Sequence, residues 1–202
     1  MGEIMRGSIF DFIGNLDTLL AVLLGALLAT GGSLLAEIIQ DRLGRKRRQR
    51  DAARFFGEII TSMGHIFDLA CDSQKIGDRW GRYSQVLFET ASQEAAVYER
   101  NRERLFDVGD MKLRFAIHNN MLRTISPLAN VIEHTKHIEQ LETKLDEDVM
   151  SETARNALKE RIARLDAFRE GSLASAQSQR EKASDVLGRL EALAGVKFDA
   201  RY

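Results

Sequence analysis

Proline and cysteine are nearly missing from this chain of 202 residues, which contains one of each. Strand proteins need turn residues about every 8 to 12 positions, and long stretches of this sequence offer none. The single cysteine, Cys71, excludes an intramolecular disulfide and any multi-cysteine zinc site. Helix-forming residues (Ala, Leu, Glu, Arg, Gln and Lys) are abundant instead, so the sequence predicts an all-α fold.

Catalytic and metal-binding motifs are missing as well. No Glu is followed three positions later by His, which removes the di-iron pairs of helical bundles, and the zinc-protease pattern His-Glu-x-x-His does not occur. The chain has no Gly-Lys pair, hence no phosphate-binding P-loop, and neither Gly-x-Gly-x-x-Gly nor Gly-x-Ser-x-Gly. We therefore expect no enzyme activity, no cofactor and no bound metal.

One long apolar run lies near the start of the chain. Residues 18–36 contain no ionisable group, and eight of these 19 residues are Leu. A helix of about 20 apolar residues spans the ~30 Å hydrocarbon core of a bilayer, and this run lacks the polar face of a soluble amphipathic helix. We predict a single transmembrane helix at 17–39. A signal peptide and the buried core helix of a soluble protein are the two alternatives.

Positive charge is concentrated directly after the apolar run, in a segment that we call the collar. Its six cations, predicted to contact lipid headgroups, are Arg42, Arg45, Lys46, Arg47, Arg48 and Arg50. Arg6 is the one cation before the run, and this Lys/Arg bias predicts a cytoplasmic collar. The expected location is the cell (inner) membrane, single-pass, with the N-terminus outside. No aromatic residue interleaves the collar arginines, so no nucleic acid is expected as a partner.

The sequence therefore divides into four predicted parts. Residues 1–16 form a short external or interfacial amphipathic segment, 17–39 the transmembrane helix and 40–54 a basic juxtamembrane helix. Apolar residues at helical spacing continue through 55–202 and predict a cytoplasmic antiparallel four-helix bundle, whose last two helices form a long coiled-coil-like hairpin. Pro127 is expected to bend the third helix of this bundle. Turns are expected near 76–81, 106–110 and 146–151.

Residue types within the bundle predict helix ends and buried faces. Asp110 and Ser151 are predicted N-caps, and Gly109 is a predicted C-terminal cap. Spacings of three and four residues place Tyr83 on the buried face of the second helix and Phe168 on that of the last helix.

Small residues recur every four positions within the apolar run. Ala21, Gly25, Ala29 and Ser33 share one face of the predicted helix. Faces of this kind let two helix backbones approach closely, which favours self-association or docking on another membrane protein. The alternative is that small residues are simply common in membrane helices.

Four groups of side chains remain as candidates for chemistry or binding. They are His65, Asp68 and Asp72 beside Cys71; His134 and His137 with Glu133; His118 with Asn119 and Asn120; and Trp80 with Arg79 and Arg82. The first group has the residue types of a nucleophile and base, but one helix face does not make a pocket. The second has metal-ligand types among polar neighbours that indicate an exposed face. The third is a polar layer or an exposed group, and Trp80 is either a packing anchor or a partner-docking residue.

The sequence favours a binding function. Our prediction is a membrane-anchored scaffold or adaptor that holds an unknown cytoplasmic protein at the membrane face and is itself oligomeric. The first alternative is a membrane-active effector or pore-forming subunit assembled through the N-terminal helix and gated by the bundle. The second is an enzyme with an unfamiliar site at His65 or His118.

Overall fold

The structure is a computed structural model that describes the backbone of residues 6–198 and the side chains of residues 19–198. The side chains of the predicted interfacial segment 1–16 lie outside the described residues. Within the described range the chain forms four α-helices and one short 3₁₀ helix, η1, without a strand, which confirms the all-α prediction. Their bounds are α1 Arg6–Ser73, α2 Arg82–Arg100, η1 Arg102–Asp107, α3 Met111–Glu147 and α4 Glu152–Ala194.

The chain divides into two compact units, Met1–Arg47 and Arg48–Tyr202. In the first unit, α1 is long and apolar enough to cross a membrane, with a mean hydropathy of 2.2 over 18 residues. None of that stretch is buried within the described residues. Soluble proteins do not leave so large an apolar surface uncovered, so the exposure argues against the core-helix alternative.

The second unit contains one hydrophobic core to which all of its helices contribute. Its largest fully buried side chains include Phe56 and Phe67 of α1, Phe88 and Tyr98 of α2, and Ile117 of α3. Small residues of the core, such as those at 91 and 95 in α2, allow the helices to approach closely. Burial of an aromatic or aliphatic side chain contributes about 1.5 to 3 kcal/mol, so this shared core is the main stabilising feature of the unit.

Contacts at both ends of α2 show that it runs antiparallel to α1. At one end the hydroxyls of Ser73 and Ser84 form a buried hydrogen bond of 2.8 Å. At the other, the rings of Phe56 and Tyr98 meet edge to face with their centroids 6.0 Å apart. Residues at the end of α1 therefore lie beside the beginning of α2, as a short connection requires.

Helices α3 and α4 also pack in opposite directions. The Arg189 guanidinium donates to Asp110 Oδ2 over 3.0 Å where α3 begins. Where α3 ends, Arg155 donates to the backbone oxygen of Leu145 over 3.4 Å. These contacts hold the two helices together along nearly the whole of α3.

Two predicted N-caps are confirmed. The Asp110 side chain accepts hydrogen bonds from the backbone N–H groups of Lys112 and Leu113 at the start of α3. The Ser151 hydroxyl accepts one from the N–H of Ala154 at the start of α4. Both side chains satisfy donors that the first helical turn leaves without an internal partner.

The prediction for Gly109 is wrong. The 3₁₀ helix that precedes it ends with Val108 in an extended conformation, and among the described residues only Gly195, the cap of α4, has a positive φ, at 72°. Gly109 instead lies against the side chain of Gln49, where an added Cβ atom would collide with the amide. Alanine there would displace the far end of the flexible Gln49 side chain, so neither backbone geometry nor fixed packing requires a glycine at this position.

The predicted buried faces of α2 and α4 are wrong at two aromatic residues. Tyr83 and Phe168 are both exposed. The buried positions next to them are Ser84 and Phe88 in α2, and Arg169 in α4. The same spacing of three and four residues is buried elsewhere on both helices, at Ala91, Ala95 and Tyr98 of α2 and at Ala176, Ala183, Val186 and Leu190 of α4. The errors are therefore confined to single positions, and neither helix is rotated as a whole.

Candidate functional site

Trp80 occupies the connection between α1 and α2, in a turn that is held by three hydrogen bonds. The Trp80 N–H donates to the carboxylate oxygen Oδ1 of Asp78 over 3.1 Å. The N–H of Gly81 donates to the backbone oxygen of Asp78 over 3.0 Å. The side-chain amide of Gln85 donates to the Trp80 oxygen over 2.8 Å. An Asx-type turn of this kind positions the indole before any ligand is present.

The indole of Trp80 is surrounded by one aromatic ring and two guanidinium groups. The Phe88 ring lies with its centroid at 6.3 Å and joins Trp80 to the core. The Arg169 guanidinium carbon lies 4.0 Å from the indole centroid, and that of Arg79 lies 5.5 Å away. Arg79 also donates to Glu170 over 2.6 Å. These cation–π contacts fix the ring orientation.

Arg169 is a buried cation with an incomplete set of partners. It is 6% exposed, and one terminal nitrogen donates to Asp166 over 2.5 Å. Its Nε has no hydrogen-bond partner among the described residues. A buried donor without a partner costs about 1 to 3 kcal/mol. The unpaired Nε of Arg169 therefore lowers the stability of the fold in this region.

An open cleft of about 470 Å³, which we call the Trp80 cleft, lies beside these residues. It exists because α3 and α4 continue beyond α1 and α2: Gln85 near the start of α2 already meets Glu139, and α3 runs on to residue 147. Ile138, Leu145 and Ile162 line the cleft with apolar surface. Other lining residues carry charges of both signs, Glu142 and Lys159 among them.

The composition of the cleft suits an amphipathic segment. Apolar groups along a groove between two helices accept the apolar face of a third helix, and charges of both signs at its edges can pair with that helix. Trp and Arg are the residue types that most often dominate binding energy at interfaces. Trp80 was predicted from the sequence as a possible docking residue, whereas Arg169, which lies near the other end of the second unit's sequence, was not.

His118 forms a defined polar layer with neighbours from α2 and η1. Its Nδ1 lies 2.7 Å from the Tyr98 hydroxyl, and its Nε2 lies 3.2 Å from a terminal nitrogen of Arg102. A guanidinium only donates, so Nε2 accepts and Nδ1 donates to Tyr98. Burial, with the Arg102 charge, lowers the pKa of His118, and burial raises the pKa of Tyr98 to about 12.

The groups predicted beside His118 do not join this layer. Asn120 is buried in α3, and its side-chain nitrogen has no partner among the described residues. The layer of His118, Tyr98 and Arg102 is a structural arrangement with a neutral imidazole, and it places no nucleophile next to a base.

His65 and Cys71 are not brought together in a pocket. His65 is exposed on α1, and Asp68 is engaged by Arg180 of α4 over 3.0 Å. Burial raises the pKa of the Cys71 thiol, which disfavours the reactive thiolate. The only side-chain hydrogen bond to this thiol within residues 19–198 comes from Gln177, at 3.6 Å.

The histidines of α3 contact α4 separately. The His134 ring lies 6.3 Å from that of Phe168, and His137 Nε2 lies 3.4 Å from a terminal nitrogen of Arg161. Glu133 is exposed. No group of three or more potential metal ligands occurs among the residues that the structure describes.

The predicted association face of α1 is open. Ala21, Gly25, Ala29 and Ser33 are all exposed, and a Cβ atom added to Gly25 would meet no atom within 4 Å. The Ser33 hydroxyl donates to the Thr30 oxygen of its own helix over 2.9 Å, so it does not depend on an outside partner. Self-association through this face stays a prediction.

The six collar cations are also exposed. Arg45 pairs with Asp41 one turn earlier at 2.8 Å, and Arg48 lies 4.0 Å from Asp107. Exposed ion pairs of this type are weak and leave the cations accessible to anionic headgroups.

The chain matches no protein-family model, and comparison with curated proteins and with solved structures gave no match.

Proposed function

We propose that the protein is a membrane-anchored helical adaptor that holds a partner protein at the cytoplasmic membrane face. In this proposal α1 crosses the inner membrane with its N-terminus outside, and the collar lies on the cytoplasmic side. The part of α1 after the collar and helices α2 to α4 form an antiparallel four-helix bundle that ends in the α3–α4 hairpin. The apolar exposure of α1 and the Lys/Arg bias around it support this arrangement.

The Trp80 cleft is the observation that carries the binding function. Its apolar lining is accessible, Trp80 is held in one orientation, and Arg169 has an unused buried donor. Filling the cleft with an amphipathic helix of the partner would bury the exposed parts of Leu145 and Ile162.

Oligomerisation through Ala21, Gly25, Ala29 and Ser33 is part of the same proposal. It would place more than one Trp80 cleft in a single assembly and strengthen attachment to a partner with repeated sites. Substitution of Gly25 by Ile should reduce crosslinked dimers of the full chain in membranes. Substitution of Leu24 by Ile leaves the small-residue face unchanged and is the matched control.

Site-specific photocrosslinking in intact cells tests the binding function. A photoreactive phenylalanine analogue at Leu145 lies in the cleft, and the same analogue at exposed Phe168 is the control outside the cleft lining. We expect a crosslinked partner at Leu145 and not at Phe168, and we expect Trp80→Ala to remove it. Tyr83→Ala removes an exposed aromatic residue nearby and should leave the adduct intact.

The opposite results would contradict the adaptor. Equal adducts at both positions, or an adduct that survives Trp80→Ala, would exclude specific docking in the cleft. Absence of any adduct together with dye leakage from liposomes containing the full chain would favour the pore-forming alternative.

A further inference from the structure

Three large apolar side chains are exposed close together on the second unit, at η1 and the first turns of α3. Phe106 is 79% exposed, Met111 72% and Phe115 69%. Single exposed apolar residues are ordinary, but three within ten residues form a patch, and patches mark contact surfaces. None of the three lines the Trp80 cleft.

The patch lies at the end of the unit where the chain enters it. Arg48, the first residue of the unit, lies 4.0 Å from Asp107 of η1. The guanidinium carbon of Arg104 in η1 lies 4.3 Å from the ring centroid of Phe55, which is about two turns after Arg48 in α1. Helix η1 therefore packs against the first turns of α1 within this unit.

Cations surround the apolar patch. The Arg114 guanidinium carbon lies 6.0 Å from the Phe106 ring centroid. Two further cations close to the patch in the chain, Arg102 and Lys112, are exposed. Two of the three acids in residues 102–115 are paired with cations from other helices: Asp107 with the start of α1, and Asp110 with α4.

The positive character of this end is a local property. Residues 48–202 together contain 24 lysines and arginines against 25 acids. Positive charge collected around exposed aromatic rings is the chemistry that anionic bilayer surfaces attract, since the rings enter the interface and the cations pair with headgroups.

We infer that Phe106, Met111 and Phe115, with Arg102, Lys112 and Arg114, form a second lipid-contacting surface for anionic membranes, separate from the collar. The inference rests on membrane insertion of α1 in the proposed function. Eight residues lie between Ile39 and Arg48, and even a fully extended chain over these nine steps covers only about 30 Å. The patch is consequently kept within reach of headgroups.

The second contact would restrict rotation of residues 48–202 about the part of α1 that lies between the apolar run and Arg48. With η1 seated on the bilayer, the Trp80 cleft at the opposite end of α2 faces away from the membrane. The lipid surface thus orients the cleft toward soluble partners.

Tryptophan quenching by brominated lipid tests this surface in the full chain. The native chain has one tryptophan, Trp80, so W80F/F106W and W80F/F168W each carry a single tryptophan at an exposed phenylalanine position. In nanodiscs of brominated phosphatidylcholine and phosphatidylserine, we expect stronger quenching at position 106 than at position 168. Substituting one cation, as in K112Q, should lower the docked-to-undocked ratio roughly fivefold.

Three outcomes would overturn the inference. These are equal quenching at positions 106 and 168, quenching at 106 that does not increase with phosphatidylserine, and protection of position 106 from acrylamide that depends on protein concentration alone. The last result would assign the patch to a second copy of the chain. If W80F prevents folding, C71S/F106C and C71S/F168C carrying an environment-sensitive fluorophore give the same comparison.

Failure of insertion is measured separately. Resistance of the same samples to alkaline carbonate extraction reports whether α1 is in the bilayer. Chains that resist extraction but show no quenching at position 106 would contradict the second surface alone. Chains that are extracted would contradict the proposed anchor.

Discussion

At the scale of single residues, His118 connects protonation to stability. The structure keeps its imidazole neutral, with Nε2 accepting from Arg102 and Nδ1 facing the Tyr98 hydroxyl. Burial lowers the pKa of His118 from the ordinary 6.5, so the unfolded chain binds this proton more readily than the folded chain. The contribution of neutral His118 to the free energy of unfolding is therefore present above pH 6.5. It is lost as the pH falls through the pKa that His118 has in the folded chain.

Replacement of His118 by Gln should therefore reduce the loss of stability between pH 7.5 and 5.5. Thermal melts of the full chain in detergent, followed by helical circular dichroism, measure this slope above the range in which ordinary carboxyl groups titrate. N119Q changes a side chain next to His118 without removing a titratable group and should leave the wild-type slope unchanged. An identical slope in H118Q and wild type would contradict the prediction.

Arg169 shows what residue-level sequence reasoning missed. Ile162, Leu165, Leu173 and Ala176 follow helical spacing on α4, and Arg169 falls in line with them between Leu165 and Leu173. An arginine at a position of this apolar stripe predicts a buried cation. Its partner Trp80 lies 89 positions earlier in the chain, and no local pattern reports that contact.

At the scale of helices, two glycines with opposite surroundings give a paired prediction. A Cβ atom at Gly57 of α1 would collide with the Phe198 ring, whereas a Cβ atom at Gly171 of α4 would meet nothing within 4 Å. We expect Gly57→Ala to displace Phe198 and lower the thermal midpoint. Gly171→Ala should stabilise the helix by about 0.5 to 1 kcal/mol, because alanine loses less backbone entropy.

The same melts check both glycine variants. Proteolysis of the segment after Gly195 should become faster in Gly57→Ala only. If both alanine variants had a higher thermal midpoint than the wild type, the displacement of Phe198 would not lower stability, and the prediction for Gly57 would be wrong.

Pro127 lies inside α3, which continues through it from residue 111 to residue 147. Proline removes one intrahelical N–H donor and is about 3 kcal/mol less favourable than alanine in a helix interior. Pro127→Ala should raise stability by about 1 to 3 kcal/mol, measured as a shift of the urea midpoint. A lower midpoint would show that the packing of α3 depends on the proline.

Helix class, helix starts and most buried positions followed from composition, capping residues and spacing, whereas single positions on the buried faces did not. Asp110 and Ser151 are recognisable because a short polar side chain before an apolar periodic run is a local signal. Tyr83 and Phe168 were assigned to buried faces and are exposed, because neighbouring positions satisfy the same spacing nearly as well. The choice between them is made by contacts from other helices.

At the scale of the whole molecule, the collar is predicted to decide orientation. Replacing Lys46, Arg47 and Arg50 by Gln removes half of its six cations, and we expect the fraction of chains with residues 48–202 in the cytoplasm to fall. Accessibility of a cysteine at Phe168 to a membrane-impermeant maleimide in intact cells, in a C71S background, measures that fraction. Replacing Arg123, Arg161 and Arg164 by Gln removes the same charge far from the apolar run and should change nothing. Unchanged labelling in the collar variant would contradict the prediction.

The turn between α3 and α4 has a practical consequence. Asp148 to Ser151 connect the two helices, and Val149 is fully exposed at the tip. Backbone that is neither buried nor part of a helix tolerates added sequence. An epitope tag inserted after Val149 would thus be readable by antibody on whichever side of the membrane the hairpin occupies, without altering the anchor, the collar or the core.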